Sequence, residues 1–171
     1  MKINTSGVYL CVSAFLELLA EGNKKNNVEQ LSQVIAITSV GAFNRVPLAG
    51  FAYGASKAGT THMMKQLATA LVPYDIRSNM IAPGSMCFLF LFEMRGMLIL
   101  PVYPSEMSEG ARLDAIIKHG VPKSLIPMQR LGSAEDMAGT ILFLTSKAGA
   151  YLNGNVLVSD GGRLGVLPSS Y

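Results

Sequence analysis

From Val8 the apolar positions return at Cys11, Phe15, Leu18 and Leu19, a three-to-four spacing that predicts an amphipathic helix over 5–20. Its expected core face is Val8, Cys11, Phe15 and Leu19. Residues 21–29 are polar, with Gly22 and three asparagines, and read as a loop. The pattern then changes period. Gln33-Val34-Ile35-Ala36-Ile37-Thr38 is a short β-branched run, the signature of a buried strand. A connection over 40–49 holds Gly41 and Pro47, and helical spacing resumes over 52–71. A second strand is predicted at 76–81, stopped by Pro83-Gly84, which cannot continue a ladder. Ser133 is placed to cap a helix over 134–146, with Glu135 and Asp136 in its first turn. Asn153-Gly154 reads as a turn, 155–159 as a last strand, and 163–171 as a loosely held tail. A chain of 171 residues is a normal single-domain length and can bury a sizeable core.

Composition narrows the function classes. Half the residues are hydrophobic and 15% are charged, more apolar than an ordinary soluble domain. A net charge of +3 with Lys24-Lys25 as the only adjacent basic pair gives no basic stripe, so no nucleic-acid partner is expected. Cys11 and Cys87 form no Cys-x-x-Cys pair, His62 and His119 stand alone, and no metal site or disulfide framework is indicated. Lys2 ahead of an apolar run invites a signal-peptide reading. Asn4, Thr5, Ser6, Ser13 and Glu17 interrupt the run, so an amphipathic helix in a soluble, cytoplasmic protein fits better.

The candidate chemistry lies on the second helix. Tyr53 and Lys57 are four apart and share a face one turn from each other. A free phenol titrates near pH ~10, and acting as acid and base near neutrality requires about 4 kcal/mol of help. An ammonium about 4 Å away at an effective dielectric of ~20 supplies a similar amount. Such a pair arises by chance on many ordinary helices, but the strand at 33–38 delivers Ser39 to a sheet's carboxyl edge, where ligands of open α/β sheets sit.

Ser39, Tyr53 fourteen residues later and Lys57 resemble the catalytic serine, tyrosine and lysine of the short-chain dehydrogenases/reductases. Asn4 resembles that family's fourth catalytic residue. Residues 76–84 are similar to its strand and Pro-Gly cofactor turn, 130–138 to its late helix, and Val158-Ser159-Asp160-Gly161-Gly162 to its closing strand. The resemblance implies a Rossmann-like, doubly wound fold and an NAD(P)-dependent oxidoreductase interconverting a carbonyl and a secondary alcohol. Tyr53 would exchange the proton with the substrate oxygen, Ser39 would hydrogen-bond that oxygen, and Lys57 would assist the tyrosine and bind the nicotinamide ribose. Asn4 would hold the lysine through a water. Tyr53, Lys57, Pro83, Gly84 and Ser105 would contact the cofactor, with NADP favoured over NAD. The partners implied are a small carbonyl or alcohol substrate and a second copy joined through the Tyr53 helix and the one before it, with no membrane.

Two departures from the family pattern stand out. No Gly-x-Gly-x-x-Gly or Gly-x-x-x-Gly-x-Gly occurs, so the glycine-rich turn that holds a cofactor pyrophosphate is missing. The chain therefore reads as the C-terminal half of a longer domain, with an open apolar sheet edge at 34–38. Between Gly84 and Tyr103, residues 85–102 read as an insertion, of a length compatible with a short unspliced intron translated in frame. Glu93 and Arg95 interrupt it, so it is too short in each half to span a membrane. The competing expectation is a non-catalytic remnant or an interaction partner of an intact relative.

Overall fold

A computed structural model describes residues 2–47, 49–84 and 121–171. The expected insertion at 85–102, Ser105, Cys87 and His119 lie outside them. Three parallel strands form one sheet in the order β1 (Gln33–Ile37), β2 (Arg77–Pro83), β3 (Val156–Ser159). β1 meets β2 from Gln33↔Arg77 to Ile37↔Ile81, and β2 meets β3 from Met80↔Val156 to Pro83↔Ser159. Every residue of β2 is buried, as befits the central strand of a sheet covered on both faces.

Strand alternation assigns the covers. Val34 and Ala36 share one face with Met80, Ala82, Val156 and Val158, and the helix α2 (Phe51–Ala70) drives Met64 and Leu67 into it. Val8 of the helix α1 (Val8–Lys25) joins the same cluster, and Val12, Leu16, Leu19 and Ala20 pack with Leu71 and Ile76 below it. Gln33 points the other way, where its Nε2 donates to Leu144 O at the end of the helix α3 (Ala134–Thr145). Helices on opposite faces make this a part of a doubly wound α/β sheet, as expected.

The inward face of α1 is as expected in part: Val8 and Leu19 pack in the core, joined there by Val12 and Leu16, whereas Cys11 is exposed and Phe15 lies outside with Leu18. The helix carries two apolar stripes one residue apart, and periodicity alone does not say which of them meets the sheet. A wide π-type turn over Lys2–Gly7 precedes α1 and sets its rotation. The helix also continues to Lys25, ending where Asn26 turns left-handed (φ 48°), so the loop begins a turn later than the polar composition suggests. Among the described residues, the stretch Lys2–Lys25 is the one long and apolar enough, by length and composition, to cross a membrane.

The tail is also unlike its expectation. Pro168 O accepts from Arg45 N and Phe43 O accepts from Ser170 N, both at 2.8 Å, while Ser169 bridges to Asn44. Tyr171 donates its hydroxyl to Val156 O at 3.3 Å and stands edge-on to Phe43, centroids 5.0 Å apart. Glycine and proline in the tail predict irregular backbone, but irregular backbone paired in this way is held.

Candidate active site

β1 ends by handing its chain to a tight turn. Thr38 N still bonds Ile81 O at 2.7 Å, and Ser39 then caps the short turn Val40–Ala42, its Oγ accepting from Gly41 N at 3.0 Å. Thr38 and Ser39 are both buried at the sheet's carboxyl edge. Pro83 and Gly84 leave β2 at the same edge, with Gly84 N bonded to Ser159 O at 2.8 Å.

Gly41 determines how closely Tyr53 approaches Ser39. A methyl group on Gly41 would lie 3.1 Å from Tyr53 Cε1 and 3.3 Å from Ser39 Oγ, so the two side chains flank the space that glycine leaves open. Gly54 serves the same approach from the helix side, where an added Cβ would stand 3.2 Å from Gly41 O. The small residues early in α2 thus let the serine turn sit directly on the helix.

Lys57, one turn beyond Tyr53, lies 5.9 Å from that ring's centroid through its Nζ. The ammonium donates to Ile37 O at 3.1 Å. Ile37 O faces away from β2, because the neighbouring Thr38 is the residue that bonds Ile81. It therefore belongs to the edge of β1 that no other described strand pairs with. Burial pushes the Lys57 ammonium below its ordinary value.

Asn4 sits in the π-type turn, a distortion often found at functional sites. Its Nδ2 donates to Ser56 Oγ at 3.1 Å, and Ser56 Oγ donates in turn to Tyr53 O at 2.8 Å. Thr60 Oγ1 donates to Asn4 O and Thr5 Oγ1 to Ser56 O. Asn4 is thereby fastened to the turn of α2 that carries Tyr53 and Lys57. Sequence reasoning placed Ser39, Tyr53, Lys57 and Asn4 in one neighbourhood, and the fold does bring them together. It missed Gly41, Ser56 and the Ile37 carbonyl. Gly41, two residues past Ser39, was the one readable signal, since a glycine in a turn beside an aromatic marks close approach.

The chain matches the family model described as enoyl-(acyl carrier protein) reductase over residues 1–94 and 104–163. It is 49% identical to the short-chain dehydrogenase/reductase PhomF of Diaporthe leptostromiformis, across 99% of this chain and 53% of that protein. The short-chain dehydrogenase/reductase VdtF of Byssochlamys spectabilis is 43% identical, across 99% of this chain and 55% of its own length. Among solved structures, the RhlG/NADP active-site complex of Pseudomonas aeruginosa superposes with a TM-score of 0.66 at 31% identity, covering 93% of this chain and 56% of that one. The chain thus spans about half the length of the curated relatives it matches.

Proposed function

The chain belongs to the short-chain dehydrogenase/reductase family, and from that premise we propose that it carries the proton-transfer half of an NAD(P)-dependent oxidoreductase acting on a carbonyl or a secondary alcohol. The observation that carries this reading is the meeting of Ser39 and Tyr53 across Gly41 at the sheet's carboxyl edge, with the Lys57 ammonium facing the Tyr53 ring. Tyr53 would give its hydroxyl proton to the substrate oxygen in reduction and take it back in oxidation. Ser39 would hold that oxygen by a hydrogen bond, and Lys57 would stabilise the phenolate left behind. Asn4 would act through Ser56, keeping the α2 turn that presents Tyr53 and Lys57 in place.

The residues present fit the nicotinamide end of the cofactor. One of the three Lys57 donors is taken by Ile37 O, which leaves two for ribose hydroxyls. The buried Pro83-Gly84 turn lies at the same edge to meet the nicotinamide ring, with Ser105 a further contact by resemblance. The bound nicotinamide would supply or accept the hydride. NADP is the favoured form, in line with the NADP complex of RhlG at 31% identity.

Leu10, Phe15 and Leu18, exposed together on α1, favour a second reading: an interaction partner of an intact relative. Titration of the 171-residue chain with NADPH and NADH, read by fluorescence beside Lys57→Ala and Tyr53→Phe, decides between them. Saturable binding that weakens by at least about tenfold in Lys57→Ala is expected from the loss of charge-assisted bonds to the ribose. Absence of saturable binding in the parent chain would leave only the second reading.

A further inference from the structure

A cavity of about 200 Å³ opens between residues 41–47 and 49–50 and the first turns of α2, and Tyr53 is one of its walls. That volume is below the range of about 300–1,000 Å³ that holds drug-sized ligands, so it fits a small group. Val46, Pro47, Phe51 and Ala55 give it apolar sides. Arg45 also lines it and is the only charged residue that does so among the described residues. No carboxylate pairs with Arg45 among them either. A guanidinium is always charged and presents a planar fork of donors matched to a carboxylate. Arg45 is exposed, and its side chain has no acceptor among the described residues.

Surface loops ordinarily place such a cation poorly. This one is pinned, because the backbone of Arg45 and Phe43 is bonded to the tail at Pro168 and Ser170, and Tyr171 packs on Phe43. The loop therefore carries Arg45 on backbone ordered before a ligand arrives, which lowers the ordering cost of binding.

From these features we infer that the cavity is the subsite for the far end of the substrate, and that the substrate is a small ketone or secondary alcohol whose apolar stretch ends in a carboxylate bound by Arg45. The inference rests on the reading of Tyr53 as the group that meets the substrate oxygen. An apolar stem would lie along Val46 and Phe51, with the oxygen toward Tyr53 and the carboxylate toward Arg45.

Calorimetric titration of the full chain with 4-oxopentanoate and with its methyl ester tests it, since the two share a skeleton and differ in charge. The acid is expected to bind at least about tenfold more tightly than the ester. Added salt should shrink that advantage, Arg45→Gln should remove it by weakening the acid far more than the ester, and Arg45→Lys should restore part of it. Tyr53→Phe should keep the advantage, because the phenol acts at the other end of the ligand. Equal affinity for acid and ester, no acid binding, or a preference that survives Arg45→Gln would each overturn the inference. A chain that binds NADPH yet fails to distinguish acid from ester would refute the subsite alone and leave the oxidoreductase reading standing.

Discussion

Lys57 combines two roles that pull in opposite directions. As a cation beside Tyr53 it would serve the proposed proton transfer, yet its burial penalises the charged form and holds its titration below the ordinary lysine value of 10.5. Below the folded-state value both folded and unfolded chains hold the proton, and the fold bears the full burial cost. Between the folded value and 10.5 the unfolded chain binds more protons, so stability rises with pH through that window and levels off above it. Lys57→Met is therefore expected to be more stable than the parent at neutral pH and to lack the alkaline rise, as read by urea unfolding across a pH series. Parallel pH profiles would mean that the ammonium is solvated after all. The residue scale is also where the sequence was most legible. The position of Ser39 at a strand end and the shared helix face of Tyr53 and Lys57 follow from local rules, whereas their roles come from the family resemblance. The Ile37 carbonyl that receives Lys57 was invisible, because a backbone acceptor has no residue type and becomes available only through strand order.

At the scale of elements, α3 shows local chemistry at its most readable. Ser133 Oγ accepts from Asp136 N, Asp136 Oδ2 accepts from Ser133 N at 2.8 Å, and Arg130 donates to both carboxylate oxygens. Ser133→Ala should cost about 1 kcal/mol of stability in denaturant unfolding, with helix content reduced at the α3 end. The Arg130 guanidinium, and after it the Ser133 amide, hold the Asp136 carboxyl well below the usual carboxylate range. Its contribution is thus complete above the ordinary value of 3.8 and fades as pH falls toward the lowered folded value. Asp136→Asn should flatten that acid-side loss, and an unchanged acid limb would show the pair to be inert. α1 marks the limit of such reasoning. Its two neighbouring stripes are equally apolar, and the choice of Val12 and Leu16 over Cys11 and Phe15 is made by the sheet beneath, together with the π-type turn ahead of it.

For the whole molecule, the apolar surplus in the composition acquires a location. Leu10, Phe15 and Leu18 are exposed on α1, and Ile37 is exposed on β1, the edge strand among the described ones. A second copy joined through α1 and α2, as proposed from the family pattern, would cover the first group. Leu18→Arg is then expected to lower the mass measured by light scattering from dimer to monomer, because a buried unpaired charge opposes association. A parent chain that is already monomeric would exclude that mode. Long-range pairing was the least legible feature of all. The bridge from Asn44 to Ser169 and the edge-on contact of Tyr171 with Phe43 join segments more than a hundred residues apart, and no local rule announces such partners.

That same docking offers an optical handle. The chain has six tyrosines and no tryptophan, so Tyr171→Trp would install a single indole against Phe43, on the loop that walls the Arg45 cavity. Its emission would report on whether the tail lies down or lifts, and so make the state of that wall visible in a cuvette while ligands are added.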